Sequence, residues 1–180
     1  MPGYRNLLVL FLVCFVGACS QNNDNLNTKK RINVNDWVLH TNIYQVLHHL
    51  DRSTCKNMDI LVTKGRCLLL GSLKDESQHK LFIKKIWDIK GVHDVIDHTT
   101  IDKTPSQTLR IKDTLAKANV NAVLALSRNV SLGNYNYTVF KGDLYVIALP
   151  YDSDIKTPFM EAIKRAPEIK KVFYYEVIAP

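Results

Sequence analysis

The sequence predicts an α+β fold of two small αββαβ modules in tandem, each a three-stranded mixed sheet covered by two helices. Two β-prone apolar runs meet at Lys64-Gly65, and a second pair meets at Lys141-Gly142, as expected for two β-hairpins. A helical pattern precedes and follows each hairpin. When Gly65 is aligned with Gly142, the hairpins, the second helices and the final strands coincide, which indicates an internal repeat.

Residues 1–18 are predicted to be a lipoprotein signal peptide. Arg5 precedes an apolar run over residues 7–16, which is too short to span a bilayer as a stable helix. The sequence Val-Gly-Ala-Cys that ends this segment resembles a bacterial lipobox, in which the cysteine is acylated, here at Cys19. The alternative is an ordinary signal peptide cleaved near Ala18, with the cysteine incidental.

Residues 19–34 are polar and rich in asparagine, so they are predicted to form a flexible tether. Ser20 resembles the residue that directs bacterial lipoproteins to the outer membrane, so the expected location is the periplasmic face of that membrane, with Cys19 as the lipid attachment. The formal net charge of the 180-residue chain is +7. Because an exported protein seldom meets nucleic acid, the expected partner is an anionic phospholipid membrane.

The first module is predicted to occupy residues 35–102. An Asn-Asp pair is placed to cap its first helix, and its second helix has Leu81, Phe82 and Ile86 on the predicted inward side. In chain order the predicted elements are a helix over Trp37–Leu50, strands over Asp59–Thr63 and Arg66–Leu73, a helix over Asp75–Lys90 and a strand over Val92–Ile101.

The second module is predicted to occupy residues 103–180 and to repeat the order of the first. The connection between them is short, and Pro105 within it favours a rigid boundary. The predicted elements are a helix over Arg110–Ser127, strands over Tyr135–Phe140 and Asp143–Leu149, a helix over Ile155–Arg165 and a strand over Val172–Ile178.

Two cysteines, Cys55 and Cys67, are expected in the folded part of the chain. A disulfide between them is one alternative, since the periplasm is oxidising. The other is a buried thiol at Cys67, which lies in the apolar run over residues 66–70.

No metal site, catalytic residue, cofactor or small-molecule substrate is predicted. The cysteines and the six histidines lack the close spacing of zinc ligands, so the histidines are expected to be solvated or capping residues. The sequence contains no nucleophile elbow and no phosphate-binding glycine loop. We therefore expect a protein that is not an enzyme.

The first predicted hairpin and the strand that follows it carry short motifs. Residues 62–73 follow a strand, turn, strand pattern in which Gly65 and Gly71 are the two glycines. Residues 91–95, Gly-Val-His-Asp-Val, have the form Gly-Val-x-x-Val.

The second copy repeats this pattern over residues 134–146, with Gly142 in the turn. By these motifs the chain resembles, over residues 36–179, the BON (bacterial OsmY and nodulation) domain family, and in layout its dual-domain outer-membrane lipoproteins. Ala148 and Glu168 stand where the family has two glycines. The resemblance implies a role in envelope integrity or in support of outer-membrane assembly, and no reaction.

The first helix of the second module has two apolar faces, although one is enough to cover a small sheet. The first consists of Ala116, Val120, Val123 and Leu124. The surplus face consists of Leu115, Ala118, Ala122 and Leu126, and it is predicted to be flanked by the cations Arg110, Lys112, Lys117 and Arg128. This composition is typical of an interfacial helix that dips into lipid. The alternative is that the surplus face packs on the first module.

The sequence therefore predicts a non-enzymatic envelope lipoprotein that binds anionic phospholipid at the outer membrane and supports envelope integrity. The alternative is an interaction adaptor that docks onto an outer-membrane or envelope assembly complex, with the same helix as a protein interface.

Overall fold

The structure is a computed structural model that describes residues 34–52, 56–101, 106–149 and 154–177. The predicted signal peptide, the lipid attachment at Cys19, all but the last residue of the tether, and Cys55 lie outside the described residues.

The predicted fold class is confirmed, because the chain forms two three-stranded mixed sheets with helices packed around them. In each sheet the two hairpin strands are antiparallel, and the last strand pairs in parallel with the central one. The first module consists of α1 (Val34–Leu50), β1 (Met58–Thr63), β2 (Arg66–Ser72), α2 (Glu76–Trp87) and β3 (Asp94–Thr100). The second consists of α3 (Gln107–Ala125), a 3-10 turn (Leu132–Asn134), β4 (Tyr135–Phe140), β5 (Asp143–Ala148), α4 (Lys156–Ile163) and β6 (Val172–Glu176).

Each sheet has one face covered by the two helices of its own module. Phe82 of α2 and Phe159 of α4 are fully buried and occupy equivalent positions in the two cores. The prediction that Leu81 points inward is wrong, since its side chain is 44% exposed. Phe82 and Ile86 define the inward side of α2, and Leu81 lies about 100° away from Phe82 around the helix.

Both hairpins have the same two-residue turn. Lys64 and Gly65 have φ of 46° and 76°, and Lys141 and Gly142 have φ of 54° and 83°. Two consecutive residues with positive φ make the mirror-image turn that matches the twist of a tight hairpin, and glycine adopts this conformation at low cost.

An aspartate on the first helix of each module binds the turn of the adjacent hairpin. The carboxylate of Asp36 in α1 accepts hydrogen bonds from both N–H groups of the first turn, at 2.9 and 3.1 Å. The carboxylate of Asp113 in α3 does the same for the second turn, at 2.9 and 2.8 Å. Both aspartates are buried, so they fix the helix to the hairpin and satisfy N–H groups that the turn leaves unpaired.

The second faces of the two sheets pack against each other. The residues buried in this contact are Leu61, Leu68 and Leu70 of the first module and Tyr145, Ile147 and Val177 of the second. The result is a four-layer arrangement of helices, sheet, sheet and helices, in which α1 and α3 lie on opposite outer sides. Sheets stacked in this way are about 10 Å apart.

The contacts between the modules are reciprocal. His98 and Tyr175, which are equivalent in the repeat, contact each other at 2.5 Å. Arg66 of β2 donates to the backbone carbonyl of Glu176 near the end of β6, and Lys141 beside β5 reaches Thr100 at the end of β3. Such a pattern, in which each copy contacts the corresponding part of the other, indicates an approximate two-fold axis between the modules.

We expect replacement of either turn-binding aspartate by alanine to destabilise the protein. The change leaves two turn N–H groups without their acceptors, so the free energy of unfolding should fall by about 1–3 kcal/mol. Chemical denaturation of Asp36→Ala and Asp113→Ala measures this loss. Asp88→Ala, at an exposed position, is the matched control, and an equal loss in all three variants would contradict the assignment.

Candidate functional site

The outward side of α3 carries a continuous row of apolar residues, which we call the apolar stripe. Leu115 and Leu126 are 65% and 79% exposed, and Ile111 is 56% exposed. With the exposed Ala118 and Ala122 between them, these residues recur at helical spacing on one side of the helix. The row extends over 16 residues, from Ile111 to Leu126, or about 22 Å along the helix axis.

The opposite side of α3 builds the core of the second module. Ala116, Val120 and Leu124 are buried against the sheet, and Asp113 binds the turn. The alternative prediction that the surplus face packs on the first module is wrong. The physical reason is that the modules meet through the second faces of their sheets, which places the outward side of α3 away from the first module.

The predicted cations divide into two groups. Lys112 and Arg128 are exposed and flank the apolar stripe. Arg110 instead reaches Asn57 at the start of β1, with 3.3 Å between Nη1 and Oδ1. Lys117 is half-buried and its Nζ lies 3.4 Å from Thr138 Oγ1.

The prediction that Arg110 and Lys117 flank the surplus face is therefore wrong. Proximity in sequence does not place a residue beside the stripe, because Lys117 lies about 200° from Leu115 around the helix. Both cations line a cleft of about 330 Å³ between the modules, where Asp59 also accepts a hydrogen bond from Thr138 at 3.2 Å. The carboxylate offsets part of their charge.

The first module supplies an internal comparison for the stripe, because each residue of α3 from Ile111 onward has a counterpart 77 positions earlier in α1. The inward positions are apolar in both helices, as Leu39, Ile43 and Leu47 and as Ala116, Val120 and Leu124. The outward positions differ: Leu115, Ala118, Ala122 and Leu126 of α3 correspond to Val38, Thr41, Gln45 and His49 of α1. Ile111 corresponds to Val34, so two of the five stripe positions are apolar in both helices, and the helices differ at the positions of Ala118, Ala122 and Leu126.

Two histidines that were expected to be solvated or capping instead make specific contacts. His79 Nε2 lies 2.6 Å from Asp97 Oδ2. His98 lies between the sheets, 2.5 Å from the hydroxyl of Tyr175 and against the rings of Tyr145 and Phe173. Burial lowers the pKa of His98, and the charge of Asp97 opposes this shift.

No cluster of three or more His, Cys, Asp or Glu side chains that could hold a metal occurs in the described part of the chain. Cys67 is a buried thiol, and burial together with the charges of Asp36 and Asp94 raises its pKa to about 12. A thiol with such a pKa is protonated at neutral pH and a poor nucleophile. The disulfide with Cys55 stays a prediction, since Cys55 lies outside the described residues.

The fold and this site define an α+β protein of two repeated modules with an exposed apolar stripe on α3. None of the described helices is long and apolar enough to cross a membrane. No protein-family model and no curated protein matches the chain.

Among solved structures, the chain is similar to CdsD, described as a structural protein of the type III secretion system of Chlamydia trachomatis. The identity is 13%, over 79% of this chain and 93% of the CdsD chain, with a TM-score of 0.32. A second structure, of the C-terminal domain of CdsD, gives 12% identity over 79% of this chain and 98% of that chain, with a TM-score of 0.31. Similarity at this level carries no argument about function.

We expect the contact between the sheets to weaken at mildly acidic pH. Because the pKa of His98 is lower in the folded than in the unfolded chain, its protonation favours unfolding. The stability that neutral His98 contributes is present above about pH 6.5, the ordinary pKa of histidine. It is lost as the pH falls through the lower pKa of His98 in the folded chain. His40, whose pKa is also lowered by burial, acts in the same direction.

The measurement is chemical denaturation at about pH 8 and about pH 5, where the carboxylates are still ionised. The variant His98→Phe keeps an aromatic ring at this position and should show a smaller loss between the two pH values than the unmodified protein. An unchanged loss would assign the pH dependence to other groups.

Proposed function

We propose that this protein is an outer-membrane lipoprotein of the BON family that binds anionic phospholipid through α3 and supports envelope integrity without catalysing a reaction. The repeated αββαβ order with glycine turns at Gly65 and Gly142 supports the family. The lipobox-like sequence at Cys19 supports the anchor. The single observation that supports the proposed lipid contact is the exposed apolar stripe of α3.

The energy available from the stripe is that of weak membrane binding. Full burial of a leucine or isoleucine side chain contributes about 1.5–3 kcal/mol, and partial insertion of Ile111, Leu115 and Leu126 contributes less than the sum. Binding of this strength is reversible on its own. A lipid on Cys19 would raise the local concentration of α3 at the same bilayer, so that weak intrinsic affinity is sufficient.

The geometry allows the anchor and the stripe to meet one membrane. Stacked sheets about 10 Å apart, with a helix of about 10 Å diameter on each side, place α1 and α3 roughly 30 Å from each other. The segment over residues 19–33 precedes α1 and has a maximum reach of roughly 50 Å. It is therefore long enough for α3 to face the bilayer that holds Cys19.

An adaptor that docks onto an envelope protein complex is the second candidate. Trp37 and Tyr44 of α1 and Trp87 of α2 are exposed. Tryptophan and tyrosine are enriched at protein interfaces. These helices lie on the side opposite α3, so a protein contact there is compatible with lipid contact at the stripe.

We expect the mature chain carrying Cys19→Ser, and thus no lipid, to float with vesicles that contain phosphatidylglycerol. Leu115→Glu with Leu126→Glu should weaken this binding at least about tenfold, because both carboxylates would have to enter the interface. The control is Val38→Glu with His49→Glu, which places the same charges at the equivalent positions of α1. Lipid binding by α3 would be excluded if the two double variants lost vesicle binding to the same extent. It would also be excluded if the parent chain did not float with the vesicles.

The anchor is tested independently by mass spectrometry of the N-terminal peptide from the native protein. We expect a peptide that begins at Cys19 and carries the mass of acyl chains. A peptide with an unmodified thiol at this position would refute the lipoprotein assignment, whatever the result with vesicles.

A further inference from the structure

Each three-stranded sheet has two edge strands, whose outer backbone groups can pair with another chain. The edges of β1 and β4 lie against each other. Asn136 of β4 donates to the backbone carbonyl of Val62 in β1, at 3.1 Å. Thr138 of β4 donates to the carboxylate of Asp59 in β1, at 3.2 Å. The edges that remain for another chain are those of β3 and β6.

A carboxylate occupies the edge of β3. The carbonyl of Thr100 bonds to the N–H of Leu73 after β2, so by alternation the backbone groups of Thr99 point away from β2. Asp97 accepts hydrogen bonds from the N–H and the hydroxyl of Thr99, at 2.8 and 2.7 Å. His79 of α2 lies 2.6 Å from the other oxygen of this carboxylate. The carbonyl of an added strand would meet this charge, which is one of the ways in which edge strands avoid pairing.

The edge of β6 is different. The carbonyl of Lys171 and the N–H of Val177 bond to β5, at 2.8 and 2.9 Å, so the odd-numbered residues of β6 face β5. The backbone groups that point away from the sheet belong to Val172, Tyr174 and Glu176. Among the described residues, the carbonyl of Glu176 has a partner, the guanidinium of an arginine in β2, and the other outward groups have none.

The internal repeat shows how the protection was lost. Tyr174 is the counterpart of Asp97, and Lys156 is the counterpart of His79. The ring of Tyr174 turns toward the core, with its centroid 5.8 Å from that of Phe159, and the Nζ of Lys156 lies 5.3 Å from it. The strand also consists of β-branched and aromatic residues over 172–175, which favour strand pairing. The edge of β6 is therefore suited to the addition of a strand.

The charges along β6 indicate which strand fits. Lys170 and Lys171 precede the strand and Glu176 ends it, and all three are exposed. No salt bridge joins any of them to another residue in the described ranges. The acid nearest to the lysines, Glu168, is bonded to Asn119 of α3 at 2.7 Å. The strand is thus positive at its start and negative at its end, which makes it complementary to an antiparallel copy of itself.

We propose that β6 pairs with β6 of a second copy of this chain in antiparallel orientation, so that two three-stranded sheets join into one sheet of six strands. The outward backbone groups match when Tyr174 faces Tyr174 of the second copy and Val172 faces its Glu176. In this register the Glu176 carboxylate lies diagonally across from the lysines that precede β6 in the other copy, within reach of long side chains.

The pairing has a consequence for the arrangement of the helices. Antiparallel neighbours are related by a two-fold axis perpendicular to the sheet, so both copies of α3 lie on the same side of the six-stranded sheet. The two apolar stripes then face one surface together. A contact between two five-residue strands is small, which places it among weak, transient interfaces. The pairing requires no lipid, so it goes beyond the proposed function.

The first experiment is sedimentation of the full mature chain carrying Cys19→Ser, under reducing conditions, from about 10 µM to about 1 mM, where weak interfaces associate. We expect the average mass to rise toward that of a dimer. Val172→Pro removes an outward N–H at the first residue of a strand, where proline is tolerated, and should raise the dimer Kd at least about tenfold. Val95→Pro makes the same change at the counterpart in β3 and should leave the Kd unchanged. Circular dichroism verifies the fold of both variants.

The second experiment tests the antiparallel orientation through charge. Glu176→Lys should weaken association of the chain with itself, and so should Lys170→Glu with Lys171→Glu, because each change places like charges at both ends of the paired strands. An equimolar mixture of the two variants should associate at least as well as the parent chain, since opposite charges then meet at both ends.

The matched control changes the net charge by the same amounts on the exposed side of α2. One variant is Glu76→Lys, and the other is Lys84→Glu with Lys85→Glu. Each should associate as the parent chain does, and mixing them should give no gain beyond the parent.

Three outcomes would overturn the proposal. One is a chain that stays monomeric over the whole concentration range. Another is an equal effect of Val172→Pro and Val95→Pro, which would remove the edge of β6 from the contact. The third is a mixture of the β6 charge variants that associates no better than each variant alone. None of these variants alters the apolar stripe, so loss of the dimer leaves lipid binding by α3 to be decided by vesicle flotation.

Discussion

The packing of one sheet on the other is the contact on which the remaining architecture depends. A three-stranded sheet with two helices on one face leaves its second face apolar, as Leu68 and Leu70 in one module and Tyr145 and Ile147 in the other illustrate. Burial of both faces against each other removes this surface from water, and burial of apolar area is the dominant favourable term in folding. It also determines where the helices lie: because the sheets occupy the centre, α1 and α3 are on opposite outer sides. The exposure of the apolar stripe is a direct consequence.

Much of the fold could be predicted from the sequence, because its determinants are local. The turns at Gly65 and Gly142 and the helical spacing around Phe82 and Phe159 specify each module without reference to the other. The contact between the sheets was missed, although β2 carried a signal: Leu68, Leu69 and Leu70 are apolar at consecutive positions, which is typical of a strand buried on both faces.

The site was predictable in part for the same reason. Helical spacing identifies Leu115, Ala118, Ala122 and Leu126, but the positions of the cations depend on what lies around the helix, so Arg110 and Lys117 were assigned to the wrong side. The turn-binding aspartates had a detectable signal, since Asp36 and Asp113 each precede the turn glycine by 29 residues.

The approximate two-fold axis has a consequence for how the two copies diverged. In a homodimer every substitution appears twice, so an apolar stripe would arise on both outer helices and the assembly could hold two bilayers together. Fusion of the copies into one chain removes this constraint: α3 is free to become apolar while α1 keeps Thr41, Gln45 and His49. The two outer sides of a nearly symmetric frame can therefore differ in character, with the apolar stripe on one and the exposed rings of Trp37 and Tyr44 on the other.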